Sequence, residues 1–396
     1  MQGVRRRLAA IVEQVCGGSP RAQDVTDRFG VYRKLGWQIW NVAYAEQPLA
    51  AIKHLPNPRA LKVFRQAAHD RGVSGELLAR LDDAIANFDQ SVQKHADNDR
   101  EMLEMIVENR AESLDEASAA RWRKQAFTGN AFTWGVRAKC MFACAIVFPS
   151  PTREAFWDMV RIQGLIGLVR TRANVRWPFA QLLIRDTGGK PFRFAREPLV
   201  MSKAVKRTGV PLLEDFCSRP LPDVARKPGA MTGMVEDELQ PGEVGAAGAA
   251  NIITAEILRE VAPIWAENPN ETVSFGTGVR TPCELLISDL IVHRSLYPGV
   301  TQRELMVFGE LMTQLSRDDR DRLPVAEKVQ HLGAVSDGIA MADVPRHTEL
   351  LHAAFERARL KAEDFDAYRV RMRYPPLPVS VIIRHEMPMR SRGAGK

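Results

Sequence analysis

Val25-Thr26-Asp27-Arg28-Phe29-Gly30-Val31-Tyr32-Arg33-Lys34-Leu35-Gly36-Trp37-Gln38-Ile39-Trp40-Asn41 reads as the end of one short helix, a tight turn and the start of another. Phe29-Gly30-Val31 is the turn, because Gly30 supplies the positive φ that other residues resist. Upstream, Pro20 opens a helix from about Arg21 to Phe29. Farther upstream, Val4 to Cys16 places Leu8, Ile11, Val12 and Val15 on one helical face and stops at Gly17-Gly18. Downstream, the helix that begins near Tyr32 turns Leu35, Ile39, Val42 and Ala43 inward until Pro48. Leu49 to Val73 predicts two more short helices, with Leu61, Phe64 and Ala68 packing back on the bundle.

The quoted string resembles the helix-turn-helix of lambda-repressor-like transcriptional regulators, a resemblance confined to about residues 4–70. A small residue at Thr26 lets the helices cross closely, and Val31, Leu35 and Ile39 plug the angle between them. Gly36 departs from the pattern, which carries a branched apolar residue there; a glycine within a helix costs about 1 kcal/mol relative to alanine. Close approach of another helix would account for it. The resemblance implies that the second helix enters the major groove of double-stranded DNA. It leaves Tyr32, Arg33, Lys34, Trp37, Gln38 and Asn41 on the reading face, with types suited to base edges and phosphates. Lys53, Arg59, Lys62 and Arg65 would flank the backbone.

Charge is distributed to match. The 396 residues hold 55 Lys+Arg against 48 Asp+Glu, a surplus of +7. Residues 1–71 hold 12 cations and 5 carboxylates, leaving 43 of each for residues 72–396. The whole surplus sits in the first segment, the footprint of a phosphate binder. Residues 75–116 are acidic, with 12 carboxylates and 4 cations, and residues 117–396 are about +8 in balance.

That acidic stretch carries a 3,4 repeat of Leu78, Leu81, Ile85, Phe88, Val92, His95, Asp99, Met102 and Ile106, free of Pro and Gly from Glu76 to Arg110. It predicts one long heptad helix over residues 74–116, a linker or a coiled-coil dimerisation element. Half-sites a helical turn apart require a homodimer. Asp82 and Asp89 at the flanking positions would repel their counterparts, and His95 with Asp99 would bury polar groups in the seam, so pairing within the chain stands equally open.

Residues 117–390 read as one mixed α+β domain whose family is not recognised. Strands are expected over Phe132–Phe148 and Leu165–Arg172, with a helix over Thr152–Gln163 between them. A β-hairpin is expected from Phe179–Ile184 and Phe192–Leu199, and a long loop over Ser218–Gly248. Thr281-Pro282-Cys283-Glu284 and Thr301-Gln302-Arg303-Glu304 read as capping boxes opening helices. A helix over His347–Leu360 and strands over Tyr368–Tyr374 and Val379–His385 follow, and residues 391–396 form a flexible basic tail. The fold class is therefore α+β, with a helical DNA-binding domain at residues 1–73 and an effector or interaction domain at residues 117–390.

Chemistry in that domain is sparse. Gly276-Thr277-Gly278-Val279-Arg280 lacks the Lys-Ser/Thr of a phosphate loop. Cys140 and Cys144 share a strand face but no second ligand pair follows, and His293, His331, His347, His352 and His385 are dispersed. No catalytic residue, metal or cofactor is expected. Five scattered cysteines, no bilayer-length apolar run and no export signal point to the cytoplasm. The leading expectation is a DNA-binding transcription regulator, homodimeric, with a small-molecule or protein effector. An enzyme with its site in residues 120–390 and an assembly protein are the alternatives.

Overall fold

A computed structural model describes residues 1–396 other than 50, 97–98, 110–114, 183–194, 230–233, 301, 310–318 and 390–396. Two compact units divide the chain, Met1–Leu114 and Asp115–Lys396. Together they make an α+β protein.

The first unit is helical: α1 (Gln2–Cys16), α2 (Ala22–Phe29), α3 (Arg33–Ala43), α4 (Pro58–Asp70), α5 (Gly75–Ala96) and α6 (Arg100–Asn109). Its core takes one stripe from each of the first five helices. Val4, Leu8 and Ile11 meet Val25, Leu35, Ile39, Phe64, Leu78 and Leu81, all fully or almost fully buried. The Asp24 carboxylate accepts from the Arg21 backbone N–H at 2.7 Å and fixes the start of α2. Asn57 does the same for α4, accepting from the Ala60 N–H at 2.9 Å ahead of Pro58 at the first helical position.

The long heptad helix is not continuous. Ala96 ends α5, and Asp99 Oδ1 accepts from the backbone N–H groups of Glu101 and Met102 at 2.9 and 3.1 Å, which starts α6 afresh. Leu103 then lines the same groove as Ile52, Leu81, Phe88 and Val92, so α6 folds back instead of extending the seam. Of the heptad positions, Leu78 and Leu81 enter the core of their own unit, while Met102 is 44% exposed.

The second unit opens with α7 (Glu116–Trp134), capped by Asp115, whose carboxylate accepts from the Ser118 N–H at 2.9 Å. It continues through β1 (Val136–Pro149), β2 (Phe156–Arg170), β3 (Trp177–Leu182), β4 (Ala195–Pro198), α8 (Lys203–Thr208), β5 (Val224–Pro228) and β6 (Val235–Leu239). Then come β7 (Ala250–Pro263), β8 (Thr272–Val279), β9 (Cys283–His293), β10 (Glu304–Phe308), β11 (Gln330–Ala334), α9 (His347–Ala358), β12 (Phe365–Arg373) and β13 (Val379–Glu386).

A seven-stranded sheet runs β11-β12-β9-β1-β2-β7-β4, and two three-stranded sheets run β10-β13-β8 and β3-β6-β5. Pairing is antiparallel except between β1 and β9. Alternate residues of β1 serve two cores. Met141 and Val147 join Leu286, Val370, Phe275 and Val381 beneath the small sheets. Phe142, Cys144 and Ile146 join Ile287, Phe365 and, from α9, Leu350 and Phe355. The large sheet is thus covered on both faces.

That double burial overturns several sequence expectations. Thr152–Gln163 is not helical, since most of it is β2, and Thr281-Pro282-Cys283-Glu284 leads into strand β9. Strands buried on both faces lose the alternation that marks a one-sided strand, and their apolar runs mimic buried helix. The Thr281 hydroxyl caps nothing; it accepts from the Trp177 indole N–H at 2.9 Å. Glu304 begins β10 and not a helix, with Thr301 outside the described residues. The expected strand from Phe132 starts instead at Val136, because α7 runs to Trp134 and ends on Gly135 at φ 72°.

Among the described residues, the two arms of the expected hairpin do not pair with one another. Its first arm is β3, paired with β6, and its second is β4, paired with β7, while the connecting turn lies outside the described residues. The Ser218–Gly248 loop holds β5 and β6, joined antiparallel. The helix at His347 and the strands near Tyr368 and Val379 stand where expected. The tail at 391–396 lies outside the described residues. Among the described residues, no helix is long and apolar enough to cross a membrane.

Candidate nucleic-acid interface

The crossing of α2 and α3 is set by two glycines. Gly30 ends α2 in the left-handed region, φ 68° and ψ 32°, and the Val31 N–H donates to the Thr26 carbonyl at 3.1 Å. Gly36 lies against α2 so closely that a Cβ there would sit 2.1 Å from Thr26 Oγ1 and 2.9 Å from its Cα and N. The departure from the pattern at Gly36 is therefore the point of closest helix approach. Thr26 donates its hydroxyl to the Ala22 carbonyl at 3.2 Å, which holds that side chain along its own helix. The Trp40 indole N–H donates to the Pro20 carbonyl at 2.7 Å and ties α3 to the loop ahead of α2.

Leu35, Gly36, Ile39, Val42 and Ala43 are buried and Trp40 packs half-buried against the same core, which leaves the other side of α3 facing outward. At about 100° per residue, Arg33, Lys34, Trp37, Gln38 and Asn41 fall within an arc of roughly 140° opposite the buried stripe. Tyr32 caps the helix and is 53% exposed, Trp37 is 46% exposed, and Arg33 and Lys34 are exposed. Gln38 and Asn41 are half-buried. The Asn41 amide donates to the Trp37 carbonyl at 2.8 Å, so part of its hydrogen-bonding capacity is already spent. Trp37 stands edge-on to His54 with ring centroids 5.1 Å apart, and burial followed by the Lys53 charge lowers the His54 pKa. Among the flanking cations, Lys53, Arg59 and Lys62 are exposed, whereas Arg65 pairs with Asp82 at 2.9 Å.

The second unit offers a half-open cleft of about 540 Å³, lined by Lys139, Cys140, Asn251, Glu284, Arg371 and Tyr374 among others. Arg371 is held by Asp343 at 2.9 Å. Cys140 is no nucleophile there, since burial pushes its thiol up to about 12. Cys144 and Cys283 are raised by burial as well. Gly276–Gly278 is extended backbone in β8 paired with β13, not a phosphate-cradling loop.

Two buried carboxylates of this unit are held by arginines. Glu256 accepts from Arg161 at 2.9 Å and from Arg196 at 2.7 Å, and Arg369 grips Asp289 through two bonds of 2.8 Å. His347 lies 3.8 Å from Asp289 with neither ring nitrogen hydrogen-bonded. Among the described residues, no three His, Cys, Asp or Glu side chains are placed to hold a metal.

Sequence reasoning passed over the end of α7. Phe132 is 84% and Trp134 49% exposed there, both hidden by the expectation of a strand from Phe132 onward. The signal available was Gly135, a helix stop directly after them.

No protein-family model matches the chain, and no curated protein does. Among solved structures, one described as a candidate protease from Parabacteroides distasonis matches at a TM-score of 0.25 and 8% identity. The match covers 63% of this chain and spans only 40% of that one, a likeness too slight to carry an argument.

Proposed function

We propose that the chain is a DNA-binding transcriptional regulator of the lambda-repressor-like kind, in which residues 1–73 read double-stranded DNA and α3 enters the major groove. The observation that carries the reading is the outward arc of Arg33, Lys34, Trp37, Gln38 and Asn41. It stands on a helix pair locked by Gly30 and the Gly36–Thr26 contact. Arg33 and Lys34 supply phosphate and guanine contacts, while Gln38 suits adenine. Lys53, Arg59 and Lys62 add backbone affinity. Two copies would place two such helices on successive half-sites, with the second unit answering to an effector.

The test is duplex binding as a function of salt, using sites selected from a random pool. Each phosphate contact contributes about 0.9 to the slope of log affinity against log salt, so Lys34→Ala lowers the slope by about 1. Gln38→Ala weakens the selected site more than random duplex. Failure of the chain to select any duplex, or equal affinity of Lys34→Ala and wild type at every salt concentration, overturns the proposal.

A further inference from the structure

We propose that the corner between α7 and β1 in the second unit binds single-stranded nucleic acid, through bases stacked on Phe132 and Trp134 and phosphates drawn to the cations around them. This rests on residues other than those of α3 and stands apart from duplex recognition.

The aromatic part is built rather than incidental. Helix α7 buries Phe127 and Ala131 but leaves Phe132 84% and Trp134 49% exposed. The Trp134 ring stands edge-on to Trp177 at 6.0 Å, and Trp177 is buried and anchored through its indole N–H to Thr281. Behind the platform the Arg172 guanidinium donates to the Thr133 carbonyl at 2.8 Å, which fixes the chain where α7 gives way to β1. Gly135 is left-handed there, and a Cβ on it would lie 2.5 Å from Arg172 Nε. Trp134, held by its contact with Trp177, loses little freedom on stacking, and the exposed face of either ring suits an unpaired base of any kind. Duplex bases are already stacked and offer it nothing.

The charge points the same way. Residues 117–152 contain five cations, Arg121, Arg123, Lys124, Arg137 and Lys139, and no carboxylate. Arg123 is spent on buried Glu327 at 2.5 Å. The Lys124 ammonium lies 5.9 Å from the centre of the Tyr374 ring, and that ring packs on Phe127 at 5.3 Å, which brings the end of β12 beside α7. Arg137 and Lys139 are exposed along β1 and Arg373 at the end of β12, none with a carboxylate within 4 Å among the described residues. Lys139 and Arg373 line the 540 Å³ cleft, giving a phosphate chain a track leading away from the aromatic corner. Glu284 faces the same cleft, and Asp343 is neutralised by Arg371.

The experiment uses the full chain and fluorescently labelled oligo-dT and oligo-U, with a duplex of equal length and polyglutamate as competitors. Both single strands are expected to bind with steep salt dependence. Phe132→Ala, whose ring has almost nothing to unpack, lowers their affinity about tenfold, and Arg137→Glu with Lys139→Glu lowers it further. Lys34→Ala leaves single-strand binding as it was, while Phe132→Ala leaves binding to a selected duplex as it was. Three results overturn the proposal: no binding of either oligomer, wild-type affinity in Phe132→Ala, or displacement by polyglutamate as effective as by unlabelled oligo-dT.

Discussion

Gly36 sets two opposing effects against one another. As a glycine inside a helix it costs about 1 kcal/mol, so Gly36→Ala would stabilise an isolated α3. In the folded unit the new methyl meets Thr26 Oγ1 at 2.1 Å and the Thr26 backbone at 2.9 Å, and the backbone cannot rotate away. Overpacking costs about 1–3 kcal/mol and the backbone clash lies at the upper end, so Gly36→Ala lowers the stability of the first unit by about 2 kcal/mol. Denaturant unfolding followed by Trp37 and Trp40 fluorescence measures it, and a gain in stability would show that the helices do not touch there. Thr26→Ala removes the hydroxyl but not the backbone, so paired with Gly36→Ala it restores only part of the loss. Gly30 and the inward residues around it were legible because φ and apolar spacing are local properties. That Gly36 marks a contact could be suspected from its misfit, but its partner could not.

At the scale of elements, the break between α5 and α6 is decided by a side chain competing with the helix. Asp99 takes two backbone N–H groups that a continuous helix would give to carbonyls a turn earlier. Asp99→Ala removes that alternative and costs α6 about 1 kcal/mol. Amide exchange of Leu103–Val107 is then faster by about fivefold while that of Leu78–Ile85, in the core, is unchanged; uniform change across both would mean one continuous element. The heptad count saw spacing alone, and spacing is blind to a cap in mid-pattern. The same limit explains β2 and β9. Phe156–Arg170 and Cys283–His293 are covered on both faces, so their apolar residues follow no alternation, and only their pairing with other strands of the sheet distinguishes strand from helix. Helix α9 was legible because one face stays in water: Glu349 and His352 are exposed where Leu350, Leu351 and Phe355 are buried. For the candidate sites, the outward residues of α3 could be read by subtracting a periodic buried stripe. Phe132 and Trp134 could not, because α7 buries too little to show a stripe.

For the whole molecule, the two units face acid differently, because the histidines withheld from water lie in the second. His347 is 2% exposed, beside Asp289 and Arg369, and burial followed by the Arg369 charge lowers its pKa to about 4. His385 is 5% exposed among Tyr297, Phe275 and Arg303, and burial is again the main cause of a pKa of about 4, against the bond from its ring to the Glu386 carbonyl. An unfolded histidine titrates near 6.5. Below that pH the unfolded chain takes up protons the folded unit refuses, so the contribution is complete above about 6.5 and is lost as pH falls toward 4. From pH 6.5 to 5, where most carboxylates stay charged, the loss is roughly 1.5 kcal/mol per histidine. His54 in the first unit is also lowered, but it is half-exposed and carries less of the effect. Calorimetry of the full chain is therefore expected to show two transitions, the one from residues 115–396 moving down more steeply between pH 6.5 and 5. His347→Gln and His385→Gln each flatten that slope whatever they do to the stability at pH 8. Equal slopes for both transitions in wild type, or an unaltered slope in the double variant, would place these rings in contact with water and remove the acid sensitivity from the second unit's core.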